Sequence, residues 1–166
     1  MIIVIDGPAG AGKSTTAKAV AKKLNINYLD SGALYRAFAW LFNELNHDES
    51  IFVDNLNRSS VTFTCSDGGF QVYLNENDIT DYLRSRDVSA TVSTVASFPE
   101  VRKQVNKLMH KAVNEGDYIA EGRDLGTVVF PDAAVNPRGL ESRCGANAAF
   151  NLFHVRFPFP LYNEIK

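Results

Sequence analysis

The chain has 166 residues, of which 45% are hydrophobic and 22% charged, with 17 Lys and Arg against 19 Asp and Glu. This length and composition predict one globular domain with a substantial hydrophobic core. The formal net charge of −2 is nearly balanced, which argues against a protein that binds nucleic acid through a strongly basic surface.

Neither the cysteines nor the N-terminal residues indicate secretion or membrane insertion. Cys65 and Cys144 are far apart and form no CxxC pair, so no disulfide framework and no zinc knuckle are indicated. The apolar run at the start ends at Asp6, which makes it too short for a signal sequence or a transmembrane helix. We therefore expect a cytoplasmic protein that binds neither membranes nor nucleic acid, and we expect a monomer.

The first 45 residues predict alternating strands and helices. Residues 2–5 form a β-branched run typical of a strand buried in a parallel sheet, and apolar residues recur with a helical period over 17–24. Residues 27–30 predict a second strand, and 32–45 a second helix. This order of elements is typical of an α/β fold.

The middle of the chain predicts a β-hairpin followed by two helices. Residues 61–64 and 70–74 are rich in β-forming residues and flank a Ser-Asp-Gly-Gly turn. Residues 87–97 predict one helix, and Pro99 is well placed as the first residue of another, which Gly116 ends.

Charged residues lie between two short predicted strands in the last third of the chain. Residues 118–120 and 127–130 predict these strands, and Glu121-Gly122-Arg123-Asp124 lies between them. From about residue 136 to residue 166, no helical or alternating pattern is sustained.

A phosphate-binding motif connects the first strand to the first helix. Residues 7–14, GPAGAGKS, match the P-loop pattern G-x-x-x-x-G-K-[ST] in full. The glycines let backbone N–H groups face an anion, and the helix N-terminus adds its positive dipole end. Lys13 can reach the β- and γ-phosphates, and the Ser14 hydroxyl can ligate Mg²⁺. The motif predicts a nucleoside triphosphate site.

The P-loop alone does not name the reaction, because GTPases, ATPases and small-molecule kinases share it. A GTPase carries an N-K-x-D motif, and Asn106-Lys107-Leu108-Met109 lacks the aspartate. A large mechanical ATPase would carry a clear hydrophobic strand that ends in Asp, and the sequence does not plainly show one. A compact phosphotransferase remains.

Two further groups of residues are candidates for binding a second phosphate or a base. Ser31 is expected to cap the helix over 32–45, and Arg36 lies five residues further along. Arg36 could offer a planar, bidentate group to a phosphate, or it could be a solvated helix residue. Arg123 and Asp124 follow a strand, where α/β sheets bind ligands, or they could form a surface ion pair.

Four segments together resemble the bacterial cytidylate kinase family: IDGPAGAGKSTTAKAVAKKL, YLDSGALYRA, VSTVASFPEVR and EGRDLGTVVFPDA. The resemblance covers residues 1–135. It implies an α/β fold like that of P-loop nucleoside monophosphate kinases, with a parallel sheet flanked by helices. It also implies a monophosphate-binding insert, about residues 31–98, that contains the β-hairpin. The implied reaction is transfer of the γ-phosphoryl group of ATP to CMP or dCMP with Mg²⁺.

The resemblance also implies roles for individual residues. ATP would be bound by Gly7, Pro8, Ala9, Gly10, Ala11, Gly12, Lys13, Ser14 and Thr15, with Ser14 as the metal ligand. CMP would be bound by Ser31, Arg36, Ser93, Arg102, Arg123 and Asp124. Lys13, Arg36 and Arg123 would be catalytic, because they neutralise and align the reacting phosphates.

The resemblance stops near residue 135. The family continues with a core strand and an arginine-rich lid helix, and residues 136–166 show neither pattern. We therefore expect an atypical tail there, an uncovered sheet edge and a chain that could be inactive, since losing an arginine finger costs about 10³–10⁵ in rate. Two alternatives stay open: a kinase for another nucleoside monophosphate, and a nucleotide-binding fragment without catalysis.

Overall fold

The computed structural model describes residues 1–66, 69–133 and 153–156. The chain divides into two units, one formed by Met1–Leu29 with Val113–Lys166 and the other by Asp30–Ala112. The boundaries of the monophosphate-binding insert, about 31–98, stay a prediction.

The described residues form seven strands, five α-helices and three short helical turns. In chain order the strands and helices are β1 (Ile2–Asp6), α1 (Lys13–Leu24), β2 (Asn27–Asp30), α2 (Ser31–Glu44), α3 (Glu49–Leu56), β3 (Val61–Ser66), β4 (Gly69–Leu74), β5 (Asn77–Asp78), α4 (Arg86–Val95), α5 (Pro99–Glu115), β6 (Tyr118–Gly122) and β7 (Phe153–Arg156). The helical turns are Thr80–Tyr82, Leu125–Val129 and Pro131–Ala133. None of the helices in this described part is long and apolar enough to cross a membrane.

The first unit is built on a four-stranded sheet with the order β2-β6-β1-β7. The first three strands form its parallel part, and β1 runs beside β6 with Ile2 opposite Tyr118 and Asp6 opposite Gly122. The apolar residues of β1 are buried, as the β-branched run predicts. Helix α1 packs against β6, and the predicted α/β class with a parallel sheet flanked by helices is confirmed.

The strand β7 corrects one expectation about the tail. It pairs antiparallel with β1, with Ile3 opposite Val155, so the predicted uncovered sheet edge is wrong along β1. Backbone pairing requires a short extended segment but no sustained hydrophobic alternation, which is why the sequence pattern gave no signal for it. The other residues of the predicted tail lie outside the described residues, and so does the prediction that the lid helix is missing.

The second unit combines four helices with a three-stranded antiparallel sheet of order β3-β4-β5. The predicted hairpin is confirmed, with Val61 opposite Leu74 and Ser66 opposite Gly69. Helix α2 packs on α4 and β4. Burial raises the pKa of the Cys65 thiol on β3 to about 11, so this thiol stays protonated at neutral pH and is a poor nucleophile.

The predicted strand over residues 127–130 is wrong, because Leu125–Val129 forms one π-helical turn. Within it, the N–H of Val128 donates to the Asp124 carbonyl at 2.9 Å, and that of Phe130 donates to the Leu125 carbonyl at 2.7 Å. The Asp6 carboxylate accepts the N–H groups of Leu125 and Gly126. These bonds fix the turn, despite the β-forming composition of the segment.

Candidate functional site

The P-loop connects the buried strand β1 to helix α1. Gly10 and Gly12 adopt φ values of 78° and 80°, in the left-handed region that glycine enters without steric cost. Gly12 is also the N-cap of α1, and no side chain caps the helix there. The first-turn N–H groups of α1 therefore have no side-chain cap, which is the arrangement that binds an anion.

Lys13 closes over the loop that precedes it. Its Nζ donates to the Pro8 carbonyl at 2.7 Å, and its stem lies against Gly7, where an added Cβ would be 3.5 Å from Cδ. The N–H of Ala11 donates to the same carbonyl at 3.4 Å. An ammonium group has three donors, so this position holds Lys13 at the loop while leaving donor capacity for a phosphate.

The donor set at the start of α1 fits a magnesium ion that arrives with a nucleotide. Ser14 is half-buried in the first turn of α1, and Thr15 beside it is exposed. Among the residues that the structure describes, no group of three or more His, Cys, Asp or Glu could hold a metal by itself. P-loop proteins hold Mg²⁺ through the Ser or Thr of the loop, a carboxylate and phosphate oxygens of the nucleotide, and Ser14 is the residue that would supply the hydroxyl.

The carboxyl end of β6 lies beside the start of the P-loop. The N–H of Gly7 donates to the Gly122 carbonyl at 3.2 Å, which extends the pairing of β1 with β6 by one residue. Arg123, which follows, is exposed, and Asp124 is half-buried. The structure thus brings Arg123 and Asp124 to the same end of the sheet as the phosphate-binding loop, as the sequence predicts.

Two carboxylates at this end of the sheet were not singled out as functional from the sequence. Glu121 is buried, and its Oε1 accepts the hydroxyl of Tyr28 on β2. Asp6 accepts two backbone N–H groups of the turn after Asp124, at 2.9 and 2.8 Å. The available signal was position: both are acidic residues at the ends of buried strands, where α/β sheets bind ligands.

The start of α2 corrects the predicted helix cap. Asp30 is the N-cap, and its Oδ1 accepts the N–H of Ala33 at 2.9 Å. Ser31, the predicted cap, is the first helical residue and is buried. Ser and Asp are both good caps. Asp30 takes the role because its extended backbone, with ψ of 96°, places its carboxylate over the first turn.

Arg36 folds back over the same turn of α2. A Cβ built on Gly32 would lie 2.8 Å from Nη1 of Arg36 and 3.2 Å from Oδ1 of Asp30. A second guanidinium, from the exposed Arg84, lies 3.7 Å from Oδ2 of Asp30. The predicted ligands Ser31 and Arg36 therefore both lie in the first two turns of α2, and Arg84 is an additional cation beside the cap that sequence reasoning missed.

The two other predicted acceptor ligands lie on different helices of the second unit. Ser93 is exposed on α4, and Arg102 is half-buried on α5. The N–H of Arg102 donates to the Phe98 carbonyl at 3.2 Å, in the first turn of α5. Their roles in binding CMP stay predictions.

Comparison with known proteins gives a consistent result over the same part of the chain. The family model described as cytidylate kinase matches residues 3–137. A cytidylate kinase of Carboxydothermus hydrogenoformans is 46% identical over 138 residues, which cover 81% of this chain and 62% of that protein. Bifunctional pantoate ligase/cytidylate kinases of Prochlorococcus marinus strains MIT 9215 and NATL1A are 44% and 45% identical over 136 residues, 80% of this chain. The chain spans 27% and 26% of those two proteins, and so less than two thirds of each of these relatives.

Proposed function

We propose that this chain, which belongs to the cytidylate kinase family, transfers the γ-phosphoryl group of ATP to CMP or dCMP. The reaction uses Mg²⁺ and forms the nucleoside diphosphate and ADP. The alignment with named cytidylate kinases supports the choice of acceptor.

The observation that carries the proposal is the geometry of the P-loop. Its two left-handed glycines, uncapped helix start and overlying lysine form a site for the β- and γ-phosphates of a nucleoside triphosphate. Gly7 to Thr15 bind ATP, and the Ser14 hydroxyl ligates the metal. Bound Mg²⁺ supplies charge neutralisation to the phosphate oxygens.

The arginines align the acceptor. Arg36, Arg102 and Arg123 hold the phosphate of CMP through charge-assisted hydrogen bonds, each contributing about 1.5–3 kcal/mol. Ser31, Ser93 and Asp124 complete the acceptor site. Because phosphoryl transfer requires positioning and electrostatic stabilisation but no covalent intermediate, the chain's own residues contribute alignment and positive charge.

The test is ADP release by the full chain with Mg²⁺, ATP and one of CMP, dCMP, UMP or AMP. We expect turnover selective for CMP and dCMP. Lys13→Ala should lower kcat by about 10²–10³, the usual effect of removing one preorganised donor. Lys22→Ala, which removes an exposed lysine of the same helix, is the matched control and should leave the rate unchanged.

Other outcomes favour the two remaining candidates. Turnover selective for UMP or AMP would identify a kinase for another nucleoside monophosphate. Saturable binding of ATP and CMP without ADP formation would identify a nucleotide-binding chain without catalysis. The candidate without catalysis is favoured by one observation: the sequence of residues 136–166 lacks the pattern of an arginine-bearing amphipathic helix.

A further inference from the structure

A short segment after β6 is anchored at both of its ends, to the last residue of β1 and to the residue that follows it. On one side, the Gly122 carbonyl accepts the N–H of Gly7 at 3.2 Å. On the other side, Oδ1 of Asp6 accepts the N–H of Leu125 at 2.9 Å, and Oδ2 accepts that of Gly126 at 2.8 Å. The two residues between these anchors are those predicted to contact CMP.

The anchors come from two consecutive residues, Asp6 at the end of β1 and Gly7 at the start of the P-loop. The strand that leads into Asp6 is buried, with Val4 at 0% exposure and Ile5 at 2%. Asp6 uses each carboxylate oxygen for one N–H, and such charge-assisted bonds are about twice as strong as neutral ones. Movement of Leu125 and Gly126 relative to the first residue of the P-loop is therefore restrained by two directional bonds.

We infer that Asp6 is a positioning residue, which holds Arg123 and Asp124 at a fixed distance from the phosphate-binding loop. It touches neither nucleotide and acts through the backbone of residues 125 and 126. The inference rests on the proposed function, because it assumes that Arg123 and Asp124 contact the acceptor. Asp6 would thus fix the distance between the residues that bind ATP and those that bind CMP.

Asp6→Asn tests this inference, since the amide keeps the shape of the side chain but offers only one acceptor oxygen to the two N–H groups. Binding of CMP and of a non-hydrolysable ATP analogue with Mg²⁺ is measured on the full chain. We expect the Kd for CMP to rise about tenfold, the effect of one lost hydrogen bond, and the Kd for the ATP analogue to change by less than about threefold. Asp81→Asn, at an exposed carboxylate, is the matched control and should change neither.

A double-mutant comparison separates positioning from general support of the fold. If Asp6 acts through the anchored segment, Asp6→Asn should change the Kd for CMP by less than about threefold in a chain that already carries both Arg123→Ala and Asp124→Ala. If Asp6→Asn does not fold, Asp6→Glu is the second variant. It keeps the charge but displaces the carboxylate by one methylene, and the same selective loss is expected.

Two results would overturn the inference alone: an unchanged Kd for CMP in both variants, or an equal loss of CMP and ATP-analogue binding, which a purely structural role produces. Failure of the proposed acceptor, on which the inference rests, has a different signature, because the wild-type chain would then bind the ATP analogue but not CMP. That result would remove this inference as well.

Discussion

The conformation of Arg36 requires a glycine at position 32, because the guanidinium occupies the space that a side chain there would take. A Cβ there would lie 2.8 Å from Nη1 of Arg36, closer than real Cβ contacts, so the guanidinium must move. We expect Gly32→Ala to raise the Kd for CMP about 10- to 100-fold, the equivalent of losing one charge-assisted bond. The free energy of unfolding should change by less than about 1 kcal/mol, because alanine favours the helix. Binding titrations and thermal unfolding measure the two effects.

Gly116→Ala is the control for this substitution. An added Cβ at Gly116 would meet Asn27 and Tyr118 at 3.6 Å, an ordinary contact distance, so no side chain has to move. We expect unchanged affinity for CMP. A Gly32→Ala chain with wild-type affinity for CMP would mean that the position of the Arg36 guanidinium over Gly32 is not the one that binds the acceptor.

At the scale of elements, the cap of α2 supports the helix that carries two predicted acceptor ligands. Asp30→Ala removes the bond to the N–H of Ala33 and should lower the free energy of unfolding by about 1 kcal/mol, or the Tm by about 2–4 °C. The ion pair with Arg84 adds little, since that arginine is 73% exposed. Thermal unfolding measures the loss, and Asp30→Asn, which keeps a capping oxygen, should recover most of it. Equal losses in the two variants would contradict a capping role.

The same elements indicate what a sequence can predict. The P-loop is predictable because its signal is local: two glycines with positive φ and a following lysine lie within eight residues. The turn at Leu125–Val129 is not predictable, because the N–H groups that donate to Asp6 are 119 and 120 residues away from it in the sequence. The strand β7 is not predictable for the same reason, since its pairing with β1 is a long-range contact. Ser31 and Asp30 are adjacent capping residues, and only the backbone angles decide between them.

At the scale of the whole molecule, the predicted ligands divide between the two units. The P-loop, Arg123 and Asp124 belong to the first unit, whereas Ser31, Arg36, Ser93 and Arg102 belong to the second. ATP contacts are thus predicted in one unit and CMP contacts in both. Substitutions in the P-loop should therefore weaken the binding of ATP more than that of CMP, whereas Asp6→Asn should weaken the binding of CMP more than that of ATP.

Ligand-dependent thermal unfolding tests this asymmetry. A ligand at one hundred times its Kd stabilises the native state by about 2.7 kcal/mol, which for a chain of this size raises the Tm by about 5–11 °C. We expect such a rise with Mg²⁺ and ATP and also with CMP for the wild-type chain. Lys13→Ala should abolish the rise with ATP and keep the rise with CMP, because Lys13 lies on the P-loop alone, and Lys22→Ala should keep both. Loss of both rises in Lys13→Ala would mean that CMP binding requires an intact P-loop, and the division of contacts would then be wrong.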